Sequence, residues 1–234
     1  MLTAVFAFDE GAKLRRTLGR FPDDRDYDVI VVDDGSTDGS IEDAEQRGFK
    51  VLRNARNDGI GAAMCRAIRY ARQHDYDVIV MCAGNDKDRP DQIPRLLAPI
   101  RNGQYKIVQG SRYMPQGRSG RMPFYRTIAT RFVHPWLMTL AARQRFTDST
   151  NGFRAIALSL FDDSRIDIEQ SWLSHYELEP YLLYKAVRLG HGVREAPVSK
   201  IYPHKKLGYT KMRSFTGWWS IVRPVFLLGL GMRK

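Results

Sequence analysis

Cysteine is scarce in this 234-residue chain. Cys65 and Cys82 are the only two, and they lack metal-ligand spacing, which excludes a disulfide scaffold or thiolate metal centre and implies buried free thiols in a reducing compartment. No apolar run approaches the roughly 20 residues that span a bilayer. Met1 leads straight into an apolar segment, with no basic stretch before it and no small-residue cleavage site after it, so a cytoplasmic location is expected. No G-x-G-x-x-G follows that segment, and Asn57-Asp58-Gly59-Ile60-Gly61 is a poor substitute, which argues against a Rossmann dinucleotide site. Negative charge is also missing locally. Residues 101–147 hold nine Lys/Arg and no Asp/Glu, and residues 200–234 hold eight and none; the rest carries 20 basic against 26 acidic residues. Two blocks within a net charge of +11 therefore suit anions: phosphorylated ligands, an anionic membrane or nucleic acid, with a solvated basic surface as the plain alternative.

What is present is an α/β chain whose 43% hydrophobic residues are ample for a packed core. The stretch Val78-Ile-Val-Met-Cys-Ala-Gly-Asn-Asp-Lys-Asp-Arg-Pro90 is central: a strand covered on both faces runs into small and charged residues. Ala83 and Gly84 there permit close approach to the backbone, and Asn85, Asp86, Lys87 and Asp88 offer oxygen ligands and one cation at the strand's carboxyl end. A solvated turn opening the helix after Pro90 is the bland alternative. Residues 2–8, 27–32, 48–53 and 105–110 read as further strands, with helices over 12–18, 60–73 and 91–100, at the short spacing of βαβ units. Acidic groups at the ends of two strands and Arg112 after another converge on one edge, which forms a nucleotide-sized site.

Ala7-Phe8-Asp9-Glu10, Val31-Val32-Asp33-Asp34-Gly35-Ser36-Thr37-Asp38-Gly39, Arg56-Asn57-Asp58-Gly59-Ile60-Gly61-Ala62 and Gly110-Ser111-Arg112 resemble the successive motifs of glycosyltransferase family 2. Within it they are most similar to the polyprenyl-phosphate sugar synthase branch. The likeness continues through Asp148-Ser-Thr-Asn-Gly-Phe-Arg154, Glu177-Leu-Glu179, Glu195-Ala-Pro-Val198 and Gly208-Tyr-Thr-Lys211, and so spans nearly the whole chain. It implies a GT-A fold, a mostly parallel sheet flanked by helices, and an inverting sugar transferase. Residues 1–112 would bind the nucleotide diphosphate-sugar, 113–212 would shape the acceptor side, and 213–234 would form an amphipathic tail. By position Phe8 and Glu10 would contact the nucleotide, Asp33 or Asp34 its base or ribose, and Arg112 the phosphates, where a guanidinium fork suits a diphosphate leaving group.

In the second half, 113–122 has no strand pattern and reads as a mobile loop, and 124–142 as an apolar-rich helix kinked near Pro135; by the resemblance Arg131 on it is a candidate for gripping a phosphate of donor or acceptor, with a merely solvated arginine as the alternative. The family resemblance makes Asp148 the first candidate for a catalytic base, with Glu177 and Glu179 following on different faces of one helix. A hydroxyl acceptor needs such a base, whereas a lipid phosphate is already an anion, for which Asp148 would instead orient Arg154 or the sugar. The basic, aromatic segment Tyr202-Pro-His-Lys-Lys-Leu-Gly-Tyr-Thr-Lys211 also suits single-stranded nucleic acid, but no nucleic-acid module accompanies it; by resemblance Lys211 lies near the phosphates. Trp218-Trp219 and the apolar run after Pro224, bordered by basic residues, suit an anchor in a membrane interface, with packing on the protein's own core as the alternative.

The chain departs from the family at the central stretch. Relatives carry D-x-D where this sequence has Ala83 and Asn85. Asn85, Asp86 and Asp88 remain as ligands for a weakened Mg²⁺ or Mn²⁺ site, with Lys87 sharing the phosphate charge. The expected function is transfer from a nucleotide diphosphate-sugar to a polyprenyl phosphate or lipid-linked glycan at the cytoplasmic membrane face. Transfer to a soluble acceptor, or a nucleotide-sugar-binding or nucleotidyl-transferring protein without glycosyl transfer, are the alternatives.

Overall fold

The computed structural model describes residues 1–204 and 214–233, with 214–218 described by their backbone alone. Strands β1 (Leu2–Ala7), β2 (Asp28–Asp33), β3 (Lys50–Arg53) and β4 (Val78–Ala83) alternate with helices α1 (Ala12–Leu18), α2 (Ser40–Gln46) and α3 (Ile60–Gln73). Helix α4 (Ile93–Arg101) and strand β5 (Ile107–Ser111) complete the first half. Then come β6 (Arg118–Gly120), α5 (Phe124–Ile128), a π turn (Ala129–Val133), α6 (His134–Ala142), β7 (Arg154–Ala157), α7 (Leu178–Arg188), β8 (Val193–Pro197), β9 (Ser199–Ile201) and α8 (Ser214–Gly229).

Seven strands form one sheet in the order β3-β2-β1-β4-β7-β5-β8, all parallel except β7. Period-two alternation divides its side chains between two cores. Leu2, Ala4, Phe6, Ile30, Val32, Ile79 and Met81 face the layer built from α3, α6 and α7, while Val5, Ala7, Val29, Val31, Val80 and Cys82 face α1, α2 and α4. Each large aliphatic side chain so buried contributes roughly 1.5–3 kcal/mol, which is why these strands are continuous apolar runs. Both cysteines are buried and free.

The topology gathers the chemistry at one edge. Strands β1, β2, β4 and β5 all end there, and the order reverses between β1 and β4, the switch point where open α/β sheets take their ligands. Because β7 runs the other way, its amino end arrives at that same edge and brings residues 148–154 with it. The two halves expected from the sequence thus interlock, since β7 inserts between β4 and β5.

One element differs from expectation and two are made specific. The segment 113–122 contains a strand, β6, which pairs in parallel with β9; three residues including a glycine are too few to show a pattern. The bend in the 124–142 helix is a π turn immediately before Pro135, whose ring occupies the first turn of α6 and removes an amide donor. Helix α8 packs on α6 and α7, burying Val225 and Leu228, so the tail is attached to the core. Glu177 accepts from Arg223 at 2.9 Å and the Tyr184 hydroxyl donates to the Leu228 carbonyl at 2.9 Å.

Candidate active site

The β1 and β2 ends are tied to each other before any ligand arrives. Asp33 accepts from the Ser36 amide at 2.9 Å, the Asp9 amide donates to Ser36 Oγ at 2.9 Å, and Asp9 accepts from the Thr37 amide at 2.7 Å. Glu10 stands beside Lys13 at 2.5 Å, and both it and Phe8 are partly exposed at this edge. Asp34 is committed more deeply. It is 6% exposed, and its carboxylate accepts from Asn54 Nδ2 (2.9 Å) and from the amides of Asp58 (3.1 Å) and Gly59 (3.0 Å). Asp34 therefore holds the 54–59 loop, and of the adjacent aspartates Asp33 keeps the freer carboxylate. In that loop Gly61 serves packing: a Cβ there would sit 1.9 Å from the Leu173 carbonyl.

After β4 the chain turns sharply, and the acidic side chains separate. The Gly84 amide donates to the Phe6 carbonyl at 2.8 Å, and a Cβ at Gly84 would meet that oxygen at 2.9 Å, so this glycine admits β1 and not a ligand. Asp86, at φ 63°, faces α1: it pairs with Arg20 and lies 3.9 Å from Arg16, and its amide donates to Thr17 Oγ1 at 3.0 Å. Asp88, fully buried, closes the turn by accepting from the Ala83 amide at 2.9 Å and takes Lys200 Nζ at 2.6 Å. Lys200 also donates to Asn151 Oδ1 at 3.0 Å, joining the β4 turn to the segment before β7. Lys87 is 6% exposed and lies 4.5 Å over the Tyr202 ring; burial, then the nearby Lys200 charge, push it down to about 7. Sequence reasoning missed Lys200, whose signal was its place in Ser199-Lys200-Ile201 just before the basic segment already singled out.

At the β5 end Arg112 and Asp148 form a buried fork, with Nε to Oδ2 at 2.6 Å and Nη2 to Oδ1 at 2.7 Å; the Arg112 amide adds 3.0 Å to Oδ2. Burial opposes the charged guanidinium, but Asp148 outweighs it and holds Arg112 above its ordinary pKa. Thr150 donates its amide and hydroxyl to the same carboxylate, and Glu195 caps the turn by accepting from the Thr147 and Asp148 amides at 2.8 and 2.7 Å. Asp148, expected as a base or as a partner for Arg154, is held in this fork with Arg112. Arg112 and Arg131 both stack on Tyr113, at 5.4 and 5.6 Å, which aims two guanidinium groups at one rim.

The remaining carboxylates are also engaged. Glu179 takes Arg154 at 2.9 Å, and Arg154, fully buried, also donates to the Asn151 carbonyl at 2.9 Å. Glu177, 4% exposed, is turned to Arg223 and so serves α8. His134, 1% exposed, accepts from Ser149 Oγ at 2.7 Å and donates to the Ile221 carbonyl at 3.2 Å, linking the 148–154 segment to α8. Lys211 lies outside the described residues.

The family model for glycosyl transferase family 2 matches residues 4–166, most of the chain. The chain belongs to that family. This family 2 transferase is 30% identical over 222 residues to undecaprenyl-phosphate mannosyltransferase of Micrococcus luteus, covering 91% of this chain and 87% of that protein. It is 26% identical over 190 residues to polyprenol monophosphomannose synthase of Mycolicibacterium smegmatis, covering 79% and 69%. Glucosyl-3-phosphoglycerate synthase of Mycobacterium tuberculosis, solved with Mn²⁺, uridine diphosphate and phosphoglyceric acid, superposes with a TM-score of 0.69 at 19% identity, covering 98% of this chain and 77% of that one. A complex of that enzyme with Mg²⁺ and uridine diphosphate gives 0.68. At such identity these structures establish the fold alone, which is the α/β architecture of the GT-A class.

The transferase's own donor set does not fit a divalent cation. Asn85, Asp86 and Asp88 are committed separately: one carboxylate faces Arg16 on α1 and Arg20 just after it, the other is taken by Lys200 and an amide, and Asn85 contributes a neutral oxygen, buried and without a partner. Among the described residues, no three His, Cys, Asp or Glu side chains are grouped to hold a metal.

Proposed function

We propose that this enzyme transfers a sugar, with inversion, from a nucleoside diphosphate-sugar to a polyprenyl phosphate. The observation that carries the acceptor class is the state of the three candidate bases. Asp148 is locked to Arg112, Glu179 is paired with Arg154, and Glu177 with Arg223. A hydroxyl acceptor would need one of them to take its proton; a phosphate monoester, with a second pKa near 6, is already an anion at neutral pH. In a single displacement the acceptor phosphate oxygen forms the new bond to C1 of the sugar as the bond to the donor diphosphate breaks, and no proton moves. Arg112, kept protonated and aimed by Asp148, meets the charge gained by the departing diphosphate. Phe8, Glu10 and Asp33 at the β1 and β2 ends frame the nucleoside. The names of the relatives in Micrococcus and Mycolicibacterium support a polyprenyl phosphate as acceptor.

A lipid acceptor requires a membrane-facing surface, and the exposed apolar residues supply one away from the expected tail. Phe124, Ile128, Phe132, Trp136 and Leu140 are spaced every fourth residue along α5 to α6 and are 80%, 40%, 59%, 63% and 59% exposed. Trp219 and Phe226 of α8 add to the exposed apolar surface, and Arg121, Arg131, Arg143 and Arg145 are exposed among or beside the stripe. An apolar stripe bordered by cations suits the interface of an anionic bilayer. No described helix is long and apolar enough to cross a membrane.

The test is product analysis with a panel of nucleotide-sugars and undecaprenyl phosphate in detergent. Release of nucleoside diphosphate with the sugar on extracted lipid is expected. Pyrophosphate release would replace this reading with nucleotidyl transfer, and sugar transfer only to water-soluble acceptors would remove the lipid.

A further inference from the structure

We propose that Lys87 supplies the positive charge facing the donor diphosphate in place of a divalent cation, while Arg20 and Lys200 take up Asp86 and Asp88 and so leave no carboxylate of the β4 turn free to recruit a metal. The inference rests on the transferase reading above and concerns how the same site handles its donor.

Charge accounting around the β4 turn carries it. Asp86 is balanced by Arg20 and Arg16, and Asp88 by Lys200 at 2.6 Å. Lys87 lies between these two pairs and, among the described residues, forms no ion pair of its own; its nearest described partner for the ammonium is the Tyr202 ring face at 4.5 Å. A lysine buried to 6% exposure and held in no ion pair among the described residues, with the carboxylates of Glu10 and Asp88 opposed by the nearby charges of Lys200 and Arg126, is unfavourable as an ammonium, and an anion delivered to it offsets that deficit. The position is the switch point between β1 and β4, where the fold presents its ligand.

The turn's backbone makes the arrangement durable. The Lys87 carbonyl accepts from the Ile201 amide at 3.0 Å, the Ala83 amide is held by Asp88 at 2.9 Å, and the Asp86 amide by Thr17 at 3.0 Å. For Asp86 to reach a metal, its pairing with α1 would have to break; for Asp88, both the Ala83 and Lys200 bonds. A hard divalent ion placed here would meet the repulsion of Lys87, and of the turn's own side chains only Asn85 offers an unpartnered, uncharged oxygen. A diphosphate placed here meets a lysine already in position, and its charge favours the protonated form.

Binding of uridine and guanosine diphosphate to the full chain, followed by calorimetry in excess EDTA and again with Mn²⁺ restored, tests this. Expected is binding in EDTA that Mn²⁺ improves less than about twofold, with no detectable binding of Mn²⁺ alone. Lys87→Met should weaken diphosphate binding at least tenfold while changing nucleoside binding little, and Lys87→Arg should recover part of the loss. Unchanged thermal melting of both variants separates these effects from misfolding. Binding that disappears in EDTA and returns with Mn²⁺ overturns the inference and leaves the transferase reading standing; wild-type diphosphate affinity in Lys87→Met overturns it as well. If the folded protein binds no nucleoside diphosphate under either condition, the transferase reading fails and this inference falls with it.

Discussion

Arg112 and Asp148, 36 residues apart, meet through two nearly parallel hydrogen bonds of 2.6 and 2.7 Å with side chains 3% and 0% exposed. Removing one member of such a pair strands a buried charge, which typically costs about 3–5 kcal/mol, whereas removing a solvent-facing catalytic base would leave stability intact. Asp148→Ala is therefore expected to lower the urea midpoint sharply along with activity. The double variant Arg112→Met with Asp148→Leu should recover much of the stability and none of the transfer. Asp148→Ala that melts like the wild type would return Asp148 to the role of base.

Asp34 organises the loop that follows β3. Its carboxylate accepts from one side-chain amide and two backbone amides, so Asp34→Ala leaves those donors unsatisfied, at about 1–3 kcal/mol. The expected signature is local: faster hydrogen exchange at the Asp58 and Gly59 amides before any global loss. Protection unchanged at both amides would contradict the assignment.

His134 should make stability depend on pH. Burial pushes it down to about 4 from the ordinary 6.5, so the folded protein keeps it neutral where the unfolded chain takes a proton. Its contribution is complete above about pH 6.5, falls as pH drops from there through about 4, and amounts to on the order of 3 kcal/mol. His134→Gln should flatten the fall in stability over that window in denaturant melts at successive pH values. An equal slope in both proteins would remove His134 as its source.

Membrane docking is expected to depend on the α5 to α6 stripe. Phe132→Ser with Trp136→Ser should abolish sedimentation with anionic vesicles while leaving nucleoside diphosphate binding unchanged, since both side chains face outward at 59% and 63% exposure. Binding by the wild type should weaken at high salt. Deleting 214–233 should instead destabilise the whole protein, because it uncovers the surface under Val225 and Leu228 and leaves Glu177 buried without Arg223. A stable truncation that binds nucleotide and has lost vesicle binding would restore the tail as anchor.

Much of the architecture could be read along the chain because it depends on local patterns. Apolar runs such as 29–32 and 78–83 must be buried on both faces, and the Asp, Asn and Gly residues after them favour turns. That order alone places Asp33, the 83–88 turn and Arg112 at the carboxyl ends of parallel strands. The partners of the charged groups were decided elsewhere. Lys200 reaches Asp88 across 112 residues, and Glu177 is turned to Arg223 across 46. Whether a carboxylate serves as base, metal ligand or counter-ion depends on which cation the fold brings beside it. Here the antiparallel entry of β7 brings Asp148 to Arg112 and Asn151 to Lys200, and the packing of α8 takes Glu177 out of the site. Ion pairing is set by distance in space, and only the assembled fold determines that distance.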